Sequence, residues 1–540
     1  MNVSTLARRA NIDTAARRAN IDTAARRANI DTLARRANID TAARRANIER
    51  MAMRTQLFID GEFVDGAEGR TINVFDPHDM SPLATIAEAT EIDVDRAVEA
   101  AKRAYPAWKL TSASDRGRLL LRLADAIEAN AEELALLETR DTGHPLRDTR
   151  GLDVPRTAGQ FRYFGGMADK YLGSVIPVDR GFLDYVVREP LGVVGSIVPW
   201  NFPIMFVSWK MAPALAAGNC IVMKPSELTP LTALRVAELA AEVGFPPGVI
   251  NILPGYGQSA GARLVSHPDV AKISFTGSTP VGRMIAGQAA VNGTRVHLEL
   301  GGKGANIVFP DANIAKAVGG TAFGIFHNQG QACIAASRLI VHESVAEEFL
   351  EKFLALTSSI RVGDPKDPTT EMGPLTSPMH RDRVLSYVQV ATDEGGEILV
   401  GGKTPSDPAL SDGCYVEPTV IRAQPKSRVT CEEVFGPFMT VQTFSTDDEA
   451  LEIANDVDFG LGGGLWTNDL SRAHRMARDM NAGMVWINSY KRVHPGSPFG
   501  GMGSSGYGRE MGFEAMHEYT EAKSVWVNVD ADIPPFYPRG

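Results

Sequence analysis

Two short segments hold the residues best suited to chemistry. Glu299 opens the run Glu299-Leu300-Gly301-Gly302-Lys303, a carboxylate set beside consecutive glycines. Thirty-four residues on, Gln329-Gly330-Gln331-Ala332-Cys333 brings a polar turn to a thiol. Most cysteines in such chains are small buried hydrophobes, and Cys220 inside GNCIVM is expected to be one. Cys333 differs, because it follows Asn-Gln-Gly-Gln and is expected to begin the helix or strand leading to Arg338. A helix N-terminus there would lower its pKa and favour the reactive thiolate. Three further segments suit a nucleotide. Lys224-Pro225-Ser226-Glu227 closes an apolar run, where a carboxylate is placed to bond the hydroxyls of an adenosine ribose; a solvated charge pair fits these residues as well. Gly255, Gly257 and Gly261 make GxGxxxG, one residue longer than the usual dinucleotide fingerprint. Phe275 to Gly282 leaves a strand and opens a helix whose N–H groups suit a pyrophosphate, although glycine there also satisfies a plain turn.

The elements that must position these residues alternate. FIDGEFV reads as a hairpin-like start, and 93–108, 115–140 and 155–170 read as helices. LGVVGSIVPW, GNCIVMKPS, VINILPG and AKISFTG are short apolar runs ending in Gly, Pro or Ser, each followed by a helical pattern. Strand, loop and helix in repetition imply a parallel, doubly wound sheet. A second series follows Gly301, with helices over 312–326, 344–358 and 470–480, so two α/β domains are expected to meet near residue 300. Functional groups then belong beyond the carboxyl ends of the strands.

Composition narrows the class. The 540 residues are 44% hydrophobic and 22% charged, which excludes pervasive disorder and a disulfide scaffold. The four cysteines form no CxxC pair and the ten histidines no HExxH, so no metal is expected. The net charge of −10 divides unevenly: residues 1–50 carry eleven arginines against five acidic residues, +6, leaving −16 for the rest. An acidic body argues against nucleic acid as a partner. The first fifty residues are copies of ARRANIDTA, with Arg8, Arg17, Arg26, Arg35 and Arg44 nine apart. Nine residues turn a helix by about 900°, so successive copies fall on opposite faces and no apolar stripe forms. The reading is a mobile or partly helical appendage. A binding or localising role and an organelle presequence are the alternatives, and Met51 or Met53 is a possible start. The uncharged stretch Leu191–Trp209 contains Pro199, Asn201 and Pro203, which suit a buried strand running into a loop better than a membrane helix. No membrane segment and no secretory signal are read, and the cytoplasm is the expected compartment.

Taken in order, PWNFP at 199–203, KPSE at 224–227, FTGS at 275–278, ELGGK at 299–303, GQAC at 330–333, EEVFGP at 432–437 and PFGG at 498–501 resemble the motifs of aldehyde dehydrogenases. The similarity covers about 54–530 and points to the hydrolytic, NAD-linked members, including the group related to betaine-aldehyde dehydrogenase. The resemblance implies a Rossmann-like parallel-sheet cofactor domain (54–171 and 191–301), a second α/β catalytic domain (302–504), and a small oligomerisation β-extension with the C-terminal segment (172–190 and 505–540), behind a repeat tail (1–53). It implies that Cys333 attacks the aldehyde, that Asn201 and the Cys333 N–H hold the oxyanion, and that Glu299 is the base that hydrolyses the thioester. Lys210 and Glu510 become supporting groups that relay protons. Lys224 and Glu227 match adenosine-ribose contacts, with Ile197, Gly257, Gly261, Phe275, Gly277 and Val281 around the nucleotide. Trp200 and Ser278 match the pyrophosphate region, and Leu300, Glu433 and Phe435 the nicotinamide end. Glu227 would repel a 2′-phosphate, which favours NAD over NADP.

By the same resemblance the aldehyde tunnel is lined by Tyr163, Phe202, Phe206, Trp209, Ile334, Val493 and Phe499. An apolar, aromatic lining suits a medium-sized aliphatic or aromatic aldehyde, and aromatic rings also suit a quaternary ammonium. The tail has no counterpart in the family pattern, Ala332 and Ile334 flank the thiol, and Val493 stands where some relatives have an aromatic residue. Two other readings remain: a coenzyme A-acylating variant, against which Glu299 argues, and a non-catalytic binding protein, against which the intact Cys333, Glu299 and Asn201 argue. Relatives form dimers or tetramers through a small extra sheet, here Leu172–Arg188 with Lys523–Val529, so a homo-oligomer is expected; any partner of the tail is unknown.

Overall fold

The structure, a computed structural model, describes residues 53–532. The expectations for the nine-residue repeats therefore lie outside the described residues.

Five short strands lie parallel in the middle of an eight-stranded sheet. The order across it is Glu62–Val64, Leu57–Ile59, Ile250–Ile252, Cys220–Lys224, Val193–Ile197, Lys272–Thr276, Arg295–Glu299 and Gly506–Tyr507, antiparallel only at its edges. VVGSI and CIVMK are buried along their whole length, as continuous apolar runs covered on both faces should be. From Val193–Ile197 the chain builds outward in one direction to Ile250–Ile252. It then returns to place Lys272–Thr276 on the other side of Val193–Ile197. A crevice opens where the order reverses. The segments that leave those two strands carry Trp200 and Ser278.

A seven-stranded sheet follows, in the order Glu397–Val400, Thr419–Arg422, Phe438–Phe444, Arg338–His342, Ala305–Val308, Gly462–Trp466 and Met484–Ile487. All its neighbours are parallel except the first pair. Glu299 ends the last parallel strand of the first sheet, and Ala305 begins the first strand of the second in chain order, next to its central strand Arg338–His342. A third, antiparallel sheet joins Ser174–Ile176, Phe182–Pro190 and Thr520–Asn528. No helix among the described residues is long and apolar enough to cross a membrane.

Two expected elements come out differently. The helix expected over 115–140 is two, Ala113–Ala129 and Ala131–Thr142. Asn130 separates them, its side-chain amide donating to the Ala126 carbonyl at 2.8 Å, the local competition that makes asparagine a helix terminator. The stretch after Val193–Ile197 is only briefly a loop. Pro203 takes the first turn of the helix Pro203–Ala217, where its missing N–H costs nothing, and every residue of that helix is buried.

Candidate active site

The segment carrying Cys333 is held in an unusual backbone. Asn328 and Gln329 have φ of 53° and 54°, and Gly330 follows at 72°. Left-handed non-glycine residues cost about 1–3 kcal/mol each and persist only where neighbours over-determine them. Here Asn328 Nδ2 donates to the Asn201 carbonyl at 2.7 Å, and Gln329 Nε2 to that of Gly143 at 2.8 Å. At Gly330 a Cβ would lie 1.9 Å from the Gly436 carbonyl oxygen, so no side chain fits. Cys333 thus sits in a turn, five residues before the strand Arg338–His342, and begins neither helix nor strand. The expected lowering of its pKa fails for the same reason. Burial pushes the thiol up to about 12, reinforced by Glu299 and Glu433.

Cys333 lines two cavities at once. The first is a cleft of about 1140 Å³ at the carboxyl ends of the strands, above the several hundred cubic ångströms of ordinary ligand sites. It gathers Trp200, Asn201, Gly277, Ser278, Leu300, Glu433 and Phe435 with Cys333. Trp200 meets the Phe435 ring edge-on at 5.4 Å and the His380 ring at 4.9 Å, and the His380 Nε2 bonds the Phe435 carbonyl at 2.7 Å. Phe435 itself is left-handed, at φ 65°. Glu433 accepts from the Gly302 N–H at 2.8 Å. Burial raises its pKa to about 7 against that bond.

The cleft suits a dinucleotide on its own features. Ser278 precedes the twelve-residue helix Thr279–Ala290 without spending its side chain on a cap, leaving the first N–H groups for an anion. Thr276 Oγ1, at the strand end lining the cleft, is buried and unpartnered. A Cβ on Gly301 would fall 2.3 Å from the Glu433 carboxylate, so glycine alone lets backbone and carboxylate approach. Ile197, Lys224, Glu227, Gly257, Gly261, Phe275 and Val281, expected around the nucleotide, do not line this cleft. Ile197 pairs with Lys224 on one side and Phe275 on the other, forming the floor beneath it. Lys224 Nζ donates to the carbonyls of Pro225 at 2.9 Å and Gly255 at 2.7 Å and meets Glu227 at 3.4 Å. Gly257–Gly261 forms one wide helical turn whose last glycine packs on the Lys224 stem. The Phe275 ring fills the space beside Gly277, and Val281 is partly exposed on the helix.

Asn201 is buried. Its Nδ2 donates to the Gln331 carbonyl at 2.8 Å, which fixes the amide plane and leaves the second hydrogen free. Glu299 lines neither cavity. It is turned back into a buried polar cluster, its Oε1 3.1 Å from the His297 Nε2. The other face of His297 looks to Glu510 at 3.7 Å, and Glu510 contacts Lys210. Burial and then Glu510 hold the Glu299 pKa well above its ordinary value. Burial, Lys210 and Lys272 hold that of His297 well below. Sequence reading missed His297, although residues two apart on the strand Arg295–Glu299 share a face.

The second cavity is a tunnel running from the same sulfur. Phe202, Phe206, Trp209, Ile334, Val493 and Phe499 line it as expected, with Met205, Phe323, Pro495 and Met511. Tyr163 does not: its ring packs on Phe164 and lies beside Gly496. The lining is not apolar throughout, because Arg156, Gln160, His327 and Lys491 enter the wall. Nearby, His144, Asp148 and His327 bring ligand-type atoms within 4.8 Å of one another, which no sequence spacing announced. Burial pushes the His144 pKa down, but Asp153 and Asp148 outweigh it and hold it raised, so a proton competes with any metal there.

Comparison with known proteins agrees with this architecture. The family model described as "Aldehyde dehydrogenase family" matches residues 63–525. DhaS of Bacillus subtilis is 45% identical over 478 residues, 88% of this chain and 96% of that one. The NADP/NAD-dependent aldehyde dehydrogenase PuuC of Escherichia coli is 43% identical over 483 residues, 89% of this chain and 97% of that one. The crystal structure of PnpE of Pseudomonas sp. WBC-3 in complex with nicotinamide adenine dinucleotide is 66% identical, with TM-score 0.90 over 90% of this chain and 100% of that one.

Proposed function

This chain belongs to the aldehyde dehydrogenase family, and on that premise we propose that it oxidises an aldehyde to its carboxylic acid with NAD, through a thioester on Cys333. The observation that carries the reading is that one sulfur is shared by a dinucleotide-sized cleft and a separate tunnel. Aldehyde arrives from one side, and the oxidant waits on the other.

The Cys333 sulfur adds to the aldehyde carbon as its proton passes to Glu299, which hands it on to the His297, Glu510 and Lys210 cluster before the hydrolysis step. Negative charge then develops on the former carbonyl oxygen. The free Nδ2 hydrogen of Asn201 and the backbone N–H of Cys333 donate to it, one such donor being worth about 3–4 kcal/mol. NAD, when bound, supplies the hydride acceptor. Ser278 and Trp200 would hold its pyrophosphate region, Glu433, Phe435 and Leu300 its nicotinamide end, and Lys224 and Glu227 its adenosine ribose. Glu227 accepts from a 2′-hydroxyl and repels a 2′-phosphate, so NAD is preferred over NADP. Glu299 swings from His297 toward the thioester and takes a proton from the attacking water. His297, Glu510 and Lys210 carry that proton away from the cleft.

Assembly follows from the third sheet. Leu172, Val175, Trp526 and Val529 are exposed on and around it, too much apolar surface for a lone antiparallel edge. We place a second copy there, giving a dimer or tetramer that light scattering would measure. Four free cysteines fit a reducing compartment, and the cytoplasm is the proposed location.

Cys333→Ala tests the central claim. NADH formation should vanish while NAD still binds; turnover at the wild-type rate would refute the assignment. Glu299→Gln should accumulate an acyl-enzyme visible by mass spectrometry.

A further inference from the structure

We infer that the aldehyde selected by this tunnel carries a carboxylate remote from its reacting carbon, held by Arg156, Gln160 and Lys491. The substrate class is then the semialdehyde of a dicarboxylic acid. This inference rests on the oxidation reading above and names its substrate.

The tunnel wall contains two cations and no carboxylate. Neither cation is spent within the protein. Among the described residues Arg156 has no hydrogen bond and no ion pair. The carboxylate acting on it, Asp153, is already bonded to His144 at 2.7 Å. Lys491 is 5% exposed, and its one bond is a long contact of 3.4 Å to the His327 carbonyl. An uncompensated buried cation is costly unless an anion arrives to pair it.

Gln160 adds an independent signal. It is 1% exposed, and both its amide nitrogen and its amide oxygen lack any partner. Native structures seldom leave a buried amide wholly unsatisfied, and a ligand is one of the few explanations. Arg156 and Gln160 are four apart on the helix Val154–Met167, which puts them on one face. Lys491 is held in a left-handed backbone at φ 55°. Burial and then Arg156 push the Lys491 pKa down to about 7, while burial and Arg492 lower that of Arg156 against the pull of Asp153. A carboxylate entering among them gains charge-assisted hydrogen bonds and removes that repulsion. The same field repels a trimethylammonium aldehyde, although the aromatic rings would otherwise suit one.

The test is NADH formation with succinic, glutaric and adipic semialdehydes against straight-chain aldehydes of the same length and a trimethylammonium aldehyde. At least one semialdehyde should exceed its neutral counterpart in kcat/KM by about tenfold or more, mainly through KM. Arg156→Met and Lys491→Met should bring that ratio toward one. Arg156 is only partly buried, so its variant decides the matter if the Lys491 variant melts early. Semialdehydes no better than neutral aldehydes, a preference for the trimethylammonium compound, or a ratio untouched in folded Arg156→Met would each overturn the inference. Turnover of neutral aldehydes without any charge preference refutes the carboxylate alone. No turnover of any aldehyde refutes the oxidation reading, and this inference falls with it.

Discussion

The Nε2 of His297 lies 3.1 Å from Oε1 of Glu299, two residues along the same strand. Burial, Lys210 and Lys272 keep the ring neutral. Once Glu299 ionises, a neutral ring facing it can donate from Nε2, which stabilises the charged form. His297→Leu should therefore raise the Glu299 pKa further and move the rising limb of kcat to higher pH. His297→Gln, which keeps a donor, should restore much of it. The pH profile of kcat, taken where thioester hydrolysis limits, reads the effect; an unmoved limb in His297→Leu would show that the ring only fills space.

Asn201 offers a second handle, because its amide is already fixed on the Gln331 carbonyl at 2.8 Å. A pre-set donor costs no reorganisation when charge develops. Asn201→Ala should lower kcat by about 100- to 1,000-fold with little change in NAD affinity. Stopped-flow measurement of the hydride step is the direct reading. A loss confined to KM would remove Asn201 from the oxyanion.

Much of this site was legible because the reacting groups sit in linear motifs. Cys333 follows a glycine turn, Asn201 follows a strand and Glu299 ends one, each within residues contiguous in sequence. The sign of the Cys333 pKa shift was not legible, since it depends on what covers the sulfur and not on the turn beside it. Arg156 and Gln160 were missed for a related reason. Their helix lies well over a hundred residues before Cys333, and only packing of Val154–Met167 against Pro203–Ala217 brings them to the tunnel. Tyr163, seven residues after Arg156, was placed in the lining and falls just outside it. The break at Asn130 shows the same limit on a smaller scale, where one side-chain bond overrode a continuous helical pattern.

Gly330 tests how the nucleophile is positioned. Alanine there would place its Cβ 1.9 Å from the Gly436 oxygen and would also have to adopt φ 72°. Both penalties act together, so Gly330→Ala should destabilise the fold by about 2–4 kcal/mol. It should also slow alkylation of Cys333, because the turn can relieve the clash only by moving the sulfur. Denaturant midpoints and iodoacetamide labelling rates measure the two effects. Wild-type values for both would mean that the loop adapts freely and the strained turn positions nothing.

The buried pair of His144 and Asp153 predicts a pH dependence of stability with a definite sign. The His144 Nδ1 lies 2.7 Å from the Asp153 carboxylate. Burial pushes the imidazole pKa down, but Asp153 and then Asp148 outweigh it, leaving the folded value above 6.5. A histidine raised in this way binds its proton more tightly when folded. Its contribution is fully present below the unfolded pKa and is lost as pH rises through the folded one. Asp153→Asn should therefore cost most at acidic pH, about 3–5 kcal/mol, with the gap to wild type narrowing as pH climbs above about 6.5. Melting temperatures of both proteins across that range check it. A gap that stays constant, or one that widens on the alkaline side, would show that the imidazole is neutral and that Asp153 stabilises the helix by hydrogen bonding alone.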